Sequence, residues 1–266
     1  MEHRPPDNPS LIARRLSDLK TLPRPVYGHA ESLPNKPLGY RHSHPWVQLS
    51  YATQGVLRVQ TSSGLFLAPP QRAVWIPAGI EHRVRYSAGT QINSLYIAAR
   101  CAPRRESSCK VLEVSPLLRE LIRDFGRFPV AYDESGPHGR LVAVLLDQVA
   151  NAPETDLMLP LPADPRLRRL CSALQAEPAS QEGLQAWALR LGVSERTLSR
   201  LFRQQTGLTF RLWRQRLRLL SALPLLERGD RVTDVALACG YEGISAFIAA
   251  FREQLGATPR ELFPPR

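Results

Sequence analysis

At 266 residues the chain is long enough for two domains that each bury their own core. A formal charge of +11 favours an anionic partner, nucleic acid before membrane surface, and no apolar run approaches the ~18 residues of a membrane span. Cys101, Cys109, Cys171 and Cys239 form no Cys-x-x-Cys pair and no zinc spacing, and no signal peptide is evident. The expectation is a reduced, cytoplasmic protein without a disulfide scaffold.

Residues 1–23 begin proline-rich, with room for a short helix near Leu11 to Lys20, and read as a mobile arm. From Arg24 to about Arg100 the texture is short runs of period-two alternation punctuated by Gly and Pro. Trp46 to Tyr51, Val56 to Thr61, Gly64 to Ala68 and Leu95 to Ala98 are the clearest. Many short strands between such turns predict a small β-barrel or jelly roll over residues 24–105. His42, His44 and Gln48 share parity, so a strand places them on one face. His82 follows a Pro77-Ala-Gly79 turn that can swing it opposite them. Three imidazoles and an amide oxygen can ligate a divalent transition metal such as Zn, Fe or Ni. A glutamine brings no charge, so such a site holds metal less tightly than one with a glutamate. The alternative is a pocket whose histidines bond one another or an organic ligand. Trp46, Trp75 and Tyr86 are candidates to line that pocket, or are core aromatics.

Gly39-Tyr-Arg-His42-Ser-His44-Pro-Trp-Val-Gln48, followed by Gly55, and Pro77-Ala-Gly79-Ile-Glu-His82 together resemble the two motifs of the cupin family. The resemblance implies a metal or ligand pocket built from those four positions. Gln48 stands where metal-binding cupins carry glutamate, and Gln71 replaces the glycine that opens the second motif.

Further on, Cys109 to Phe125 and His138 to Ala150 read as two amphipathic helices. Val111, Val114, Leu118 and Leu121 form one stripe, and Leu141, Val144, Leu145 and Val149 the other. A helix pair in this place resembles the dimerisation element of the family identified below, so residues 106–150 are expected to be a helical dimerisation segment, the competing account being a lid on the barrel of the same subunit. Residues 151–163, with prolines 153, 160 and 162, read as a semi-rigid linker.

The last segment, 164–266, holds sixteen arginines, no lysine and ten acidic residues. It says nearly the same thing twice. Ala188 and Gly192 recur at Ala236 and Gly240. Leu198, Phe202, Gly207 and Thr209 recur one residue later, at Phe247, Phe251, Gly256 and Thr258. Each copy is a short apolar helix, a glycine turn and a second helix with apolar residues three and four apart, the pattern of a helix-turn-helix. Asp164 and Ser194 are expected helix caps, and Thr258-Pro259-Arg260-Glu261 reads as a capping box. Thr209 to Arg228 predicts a joining helix of ~30 Å, close to the ~34 Å of one DNA turn, with Pro224 expected to kink it.

These residues, Gly192-Val-Ser-Glu-Arg-Thr-Leu-Ser-Arg-Leu-Phe-Arg, Ala236-Leu-Ala-Cys-Gly-Tyr, Phe247-Ile-Ala-Ala-Phe-Arg and Gly256-Ala-Thr-Pro, resemble the DNA-binding domain of the AraC/XylS family of bacterial regulators. Departures are Ala249 where a basic residue is common, Phe210 where the second copy has Pro259, and Pro224 in the linker helix. The resemblance implies an α+β protein of two domains, a cupin-like sensor barrel with a helical segment and an all-α double helix-turn-helix. It implies a homodimer bound to double-stranded operator DNA, a small-molecule effector, and RNA polymerase as a partner if the protein activates. Ser194, Arg196, Thr197, Ser199, Arg200, Arg203, Ser245 and Arg252 are the candidate DNA-contacting residues. Among them Arg196, Ser199 and Arg200 are expected at base edges and Arg203 at phosphate. The rival class is a cupin metalloenzyme, an oxygenase or isomerase, carrying a DNA-binding tail. Gln48, and the lack of a paired carboxylate beyond Glu81, weigh against it.

Overall fold

The structure is a computed structural model that describes residue 19 and residues 21–29, 35, 38–87, 90–103 and 107–264. The helix expected near Leu11 to Lys20 falls, apart from Leu19, outside the described residues. In chain order the first strands are β1 (Val26–Tyr27), β2 (Val47–Gln54), β3 (Leu57–Gln60), β4 (Gly64–Ala68), β5 (Arg72–Ile76) and β6 (Arg83–Tyr86). They are followed by β7 (Gln91–Ile92), β8 (Leu95–Ile97) and β9 (Lys110–Glu113), helices α1 (Pro116–Phe125) and α2 (Pro137–Asn151), then β10 (Glu154–Thr155) and β11 (Met158–Pro160). The C-terminal part is all helix: α3 (Pro165–Ala176), α4 (Leu184–Arg190), α5 (Glu195–Thr206), α6 (Phe210–Glu227), α7 (Val232–Ala238), α8 (Ile244–Leu255) and α9 (Pro259–Leu262).

The strands form two antiparallel sheets. The larger has the order β1-β8-β2-β5-β9-β10, with β7 also on β2, and the smaller the order β11-β4-β3-β6. Alternation along β2 sends Gln48, Ser50 and Ala52 one way and Val47, Leu49 and Tyr51 the other. The second set packs beneath α1 and α2, against Leu118, Ile122, Phe125, Leu145 and Val149. The first set faces the interior between the sheets, where Leu57, Val59, Val74, Ile76 and Val84 make the apolar filling.

Two expectations need correction. The single helix over Cys109 to Phe125 is a strand followed by a helix. Val111 and Leu112 are both buried, one in each core cluster, which a strand between two layers allows and a one-sided helix does not. The helix starts only at Pro116, because the residue before a proline is pushed out of the helical region. Ser115 there caps it, accepting from Leu118 N–H at 3.1 Å. Of the two stripes, Val114, Leu118, Leu145 and Val149 cover the outer face of the larger sheet, so α1 and α2 are first of all part of their own barrel.

The segment over 151–163 is not a free linker either. Glu154–Thr155 pairs with β9, and Met158–Pro160 closes the smaller sheet by pairing with β4. Leu157 and Leu159 are fully buried, and Pro160 sits on an edge strand, where a missing N–H breaks no ladder. The same strand ties the halves together. Trp213 Nε1–H donates to the Pro160 carbonyl at 2.7 Å, Arg216 forms an ion pair with Asp156, and Gln254 donates to the Asp156 carbonyl at 3.0 Å. One continuous apolar cluster runs from the barrel interior through Leu157 and Leu159 to Leu217, Phe202 and Phe251.

Helix α6 is the axis of the C-terminal part, with Trp213, Leu217, Leu219, Leu220, Leu223 and Leu226 buried around its circumference. Its 18 residues remain helical through Pro224 and span about 27 Å. No helix among the described residues is long and apolar enough to cross a membrane.

Candidate functional site

Two places carry chemistry: the outer faces of α5 and α8, and a histidine cluster at one end of the barrel.

Helix α5 is set by local signals. Ser194 Oγ accepts from Thr197 N–H at 3.2 Å and bonds Thr197 Oγ1 at 2.8 Å, so both side chains serve the cap. Leu198 and Phe202 are buried, and Gly207 ends the helix at φ +72°. Arg196, Thr197, Ser199, Arg200 and Arg203 are therefore left on the exposed side. None of the three arginines forms an ion pair among the described residues, which leaves their guanidinium groups free for guanine or phosphate.

Helix α8 repeats the architecture with different surface chemistry. Phe247, Ala250 and Phe251 are buried and Gly256 ends it at φ +73°. Its N-cap is Gly243, which contributes no side chain, so no side chain satisfies the first-turn amides. Ser245, Ala249 and Arg252 are exposed and Ile248 is half-buried against the core. The exposed face offers one hydroxyl, methyl groups and one arginine. Ile244 and Ile248 also line a cleft of about 1380 Å³ between this unit and the barrel turns at Thr53–Gly55 and Pro70–Gln71.

The turn before α8 needs its glycine more than the turn before α5. Both Gly192 and Gly240 adopt positive φ, but a Cβ on Gly240 would lie 2.9 Å from Ala179 Cα and from the Arg218 guanidinium. At Gly192 nothing lies within 4 Å.

In the barrel, His42 and His82 face each other across a bridge of two backbone bonds, His42 N–H to His82 O at 2.9 Å and the reverse at 2.8 Å. Gly79 N–H donates to the His44 carbonyl at 2.8 Å, which fastens the Pro77–Gly79 turn to the first motif. Each imidazole uses Nδ1–H on a main-chain carbonyl: His42 on Tyr40 (3.1 Å), His44 on Trp46 (2.8 Å) and His82 on Ile80 (2.8 Å). Each ring thus holds its proton on Nδ1 and a lone pair on Nε2. Ligand atoms of the three histidines lie within 4.8 Å of one another. Gln48 Oε1 stands 3.1 Å from His44 Nε2 and 3.2 Å from His82 Nε2. Burial lowers all three histidine pKa values, that of His82 to about 3, so the rings are neutral at pH 7. Lone pairs converging without a proton between them repel. A cation among them relieves this, and so does a Gln48 amide turned to donate both its N–H groups.

Of the aromatics expected at a pocket, Trp46 stacks on His44 with centroids 5.4 Å apart and also touches Tyr96. Tyr86 lies on the inner face of β6 and lines an open pocket of about 600 Å³ with Val84, Asn35 and Ile92. Trp75 is a correction. Its neighbours Val74 and Ile76 take the interior, so alternation turns it outward beneath α1 and α2. Glu81 points away from the cluster and pairs with Arg41. Sequence reasoning missed Ser50 and Tyr96. Ser50 shares the parity of Gln48, and Tyr96 is its cross-strand partner, so both line the same wall. Both are fully buried, and neither hydroxyl has a hydrogen-bond partner.

A sensor barrel joined through its own sheet to two DNA-reading units defines a class, the ligand-responsive transcription regulator. Residues 25–148 match the model of the AraC-like ligand binding domain, and residues 187–263 that of a helix-turn-helix domain. The chain is 37% identical over 218 residues to the HTH-type transcriptional regulator NimR of Escherichia coli, covering 82% of this chain and 80% of that one. It is 39% identical over 100 residues to the regulator RipA of Corynebacterium glutamicum, covering 38% of this chain and 30% of that one. Among solved structures, the DNA-binding domain of AdpA in complex with a target DNA is 35% identical, with a TM-score of 0.34, over 37% of this chain and 89% of that one. The chain belongs to the AraC family of transcription regulators, and it is a DNA-binding regulator that senses a small molecule.

Proposed function

We propose that the sensing centre of this regulator is a metal-loaded barrel, with His42, His44, His82 and Gln48 holding a divalent transition metal such as Zn, Fe or Ni. The observation that carries the reading is the convergence of one ligand nitrogen from each of three neutral histidines, His44 and His82 through Nε2 beside the Gln48 amide oxygen, on one buried point. The residues fit such a group: the backbone carbonyls of Tyr40, Trp46 and Ile80 accept from Nδ1–H and fix each ring's orientation from behind. The metal would supply positive charge to attract an anionic or lone-pair-bearing effector. Ser50 and Tyr96, beside the cluster, would donate hydrogen bonds to it.

Occupancy then biases the DNA-binding half through β11, which belongs to the barrel sheet yet holds Trp213 and, through Asp156, Arg216 and Gln254. The protein acts in the cytoplasm as a homodimer. Leu117 on α1 and Val144 on α2 remain about half exposed on the side away from the sheet and are the surface for pairing. DNA is read chiefly by Arg196, Ser199 and Arg200, with Arg203 on phosphate and Ser245 and Arg252 serving the second groove. If the protein activates, RNA polymerase is its further partner. We read it as a regulator and not a metalloenzyme, because among the described residues no carboxylate is buried to act as a base beside the cluster. Native mass spectrometry and elemental analysis of the full chain test the reading. One metal per chain is expected, lost in His42→Ala/His44→Ala. A wild-type chain that is metal-free and takes up no added Zn overturns it in favour of the amide-bonded pocket.

A further inference from the structure

We propose that the sensor barrel itself grips DNA: Arg58, Arg83 and Arg85, on the outer face of the smaller sheet, bind the phosphate backbone of the duplex flanking the sequence read by α5. The register puts the three together. Arg58 stands opposite Arg85 and Gln60 opposite Arg83, while their neighbours Leu57, Val59 and Val84 fill the interior. The guanidinium-bearing residues therefore share the outer face, with Arg58 and Arg85 exposed. Like charges directly opposite one another across a strand pair are unfavourable. Here no carboxylate among the described residues relieves them. Crowding by surrounding protein and then the charge of Arg85 lower the pKa of Arg58. None of the three forms an ion pair among the described residues, and Arg83 Nε is buried without a partner. Elsewhere on the same barrel Arg41 is matched with Glu81, Arg72 with Glu113 and Lys110 with Glu154. A sheet face that keeps unmatched cations side by side is complementary to a polyanion.

Continuity with the reading surface says which polyanion. The Thr61–Gly64 turn at the end of β3 receives Arg168 of α3, whose guanidinium donates to the Ser62 carbonyl at 3.4 Å and to the Pro162 carbonyl at 2.8 Å. Both partners are neutral, so the charge of Arg168 is uncompensated. Arg166, two residues before it and itself paired with Asp164, shares a small cleft with Thr197 and Leu201 of α5. A track thus runs from the first reading helix over the start of α3 to the turn, and on to Arg83, Arg85 and Arg58. Along β3, Arg58 and Gln60, the partner of Arg83, are about 7 Å apart, roughly the rise of two base pairs. Duplex leaving the α5 groove on this side therefore meets a row of guanidinium groups on the barrel.

Phosphate contacts position a protein without reading sequence, so the test separates site from flank. The full-length protein would be titrated with a duplex ending at the edges of its selected binding site, and with the same site extended by about one helical turn (~10 bp) on each side. Wild type should bind the longer duplex more tightly, with a steeper salt dependence. In Arg58→Gln/Arg83→Gln/Arg85→Gln that advantage should vanish while the short duplex is bound as before. The log–log salt slope on the long duplex should become shallower by about 2 to 3, each lost contact being roughly threefold in affinity between about 50 and 200 mM salt. Arg58→Lys/Arg83→Lys/Arg85→Lys, which keeps the charge, should retain most of the advantage. Equal wild-type affinity for the two duplexes, or a glutamine variant that loses equally on both, overturns the proposal. The second outcome would assign the arginines to the barrel's own integrity or to an acidic protein partner.

Discussion

The two helix-turn-helix units are one architecture carrying two chemistries. Phe202 and Phe251 are equivalent and both fully buried, and Gly207 and Gly256 close their helices at nearly the same positive φ. Outside that shared frame the units diverge. α5 presents three unpaired arginines behind a serine cap, whereas α8 presents Ser245, Ala249 and Arg252 behind a glycine. The difference teaches that burial constrains the repeat while the exposed faces are free to specialise, and on the proposed function the first unit would read sequence and the second mainly anchor.

The largest expected effect tests the shared frame. Phe202→Ala and Phe251→Ala each remove a fully buried ring and should each cost about 3–5 kcal/mol in denaturant unfolding. A large inequality between them would show that one unit leans on the barrel more than the other. Next come the turns. Gly240→Ala adds strain at positive φ to a collision with Ala179 Cα and should cost about 2–4 kcal/mol. Gly192→Ala, with open space around it, should cost only about 1 kcal/mol in the same assay. Equal costs would deny that the second turn is the tighter one.

Binding-site selection by sequencing addresses the divergent faces. Arg200→Ala should relax one or two base positions, a loss of about 1–3 kcal/mol in discrimination, and Ser245→Ala should change little. Equal loss in both half-elements would end the division of labour. The smallest effect sharpens the capping contrast. Ser194→Ala should lower stability by about 1 kcal/mol, whereas Gly243→Ser, which supplies the missing capping hydroxyl, should raise it by only about a few tenths of a kcal/mol.

How much was legible follows the range of the signals. Ser194, Gly207 and the Leu198/Phe202 spacing each act within a turn or two of helix, so the exposed face of α5 could be assigned from neighbouring residues alone. The histidine motifs were legible as residue types, and His42, His44 and Gln48 do come together, although only Gln48 lies in a strand and His42 is held by its bridge to His82. Ser50 and Tyr96 were not singled out, because a buried hydroxyl in an apolar strand has meaning only once the cross-strand partner is known. Trp75 could be left only as pocket wall or core aromatic for a related reason: Ala73 to Ile76 is an unbroken apolar run, so its pattern does not say which face is interior.

By itself, then, the amino-acid sequence determined the repeat, the helix boundaries around it, the anionic partner and the residue set of the barrel cluster, all of them local or compositional properties. Tertiary structure alone decided that Lys110–Glu113 is a strand and not the start of a helix, and that the proline-rich segment before α3 belongs to a sheet. It alone decided that Arg58 faces Arg85. Strand membership and cross-strand register depend on hydrogen bonds to residues far away in the chain, and no window of neighbouring residues contains that partner.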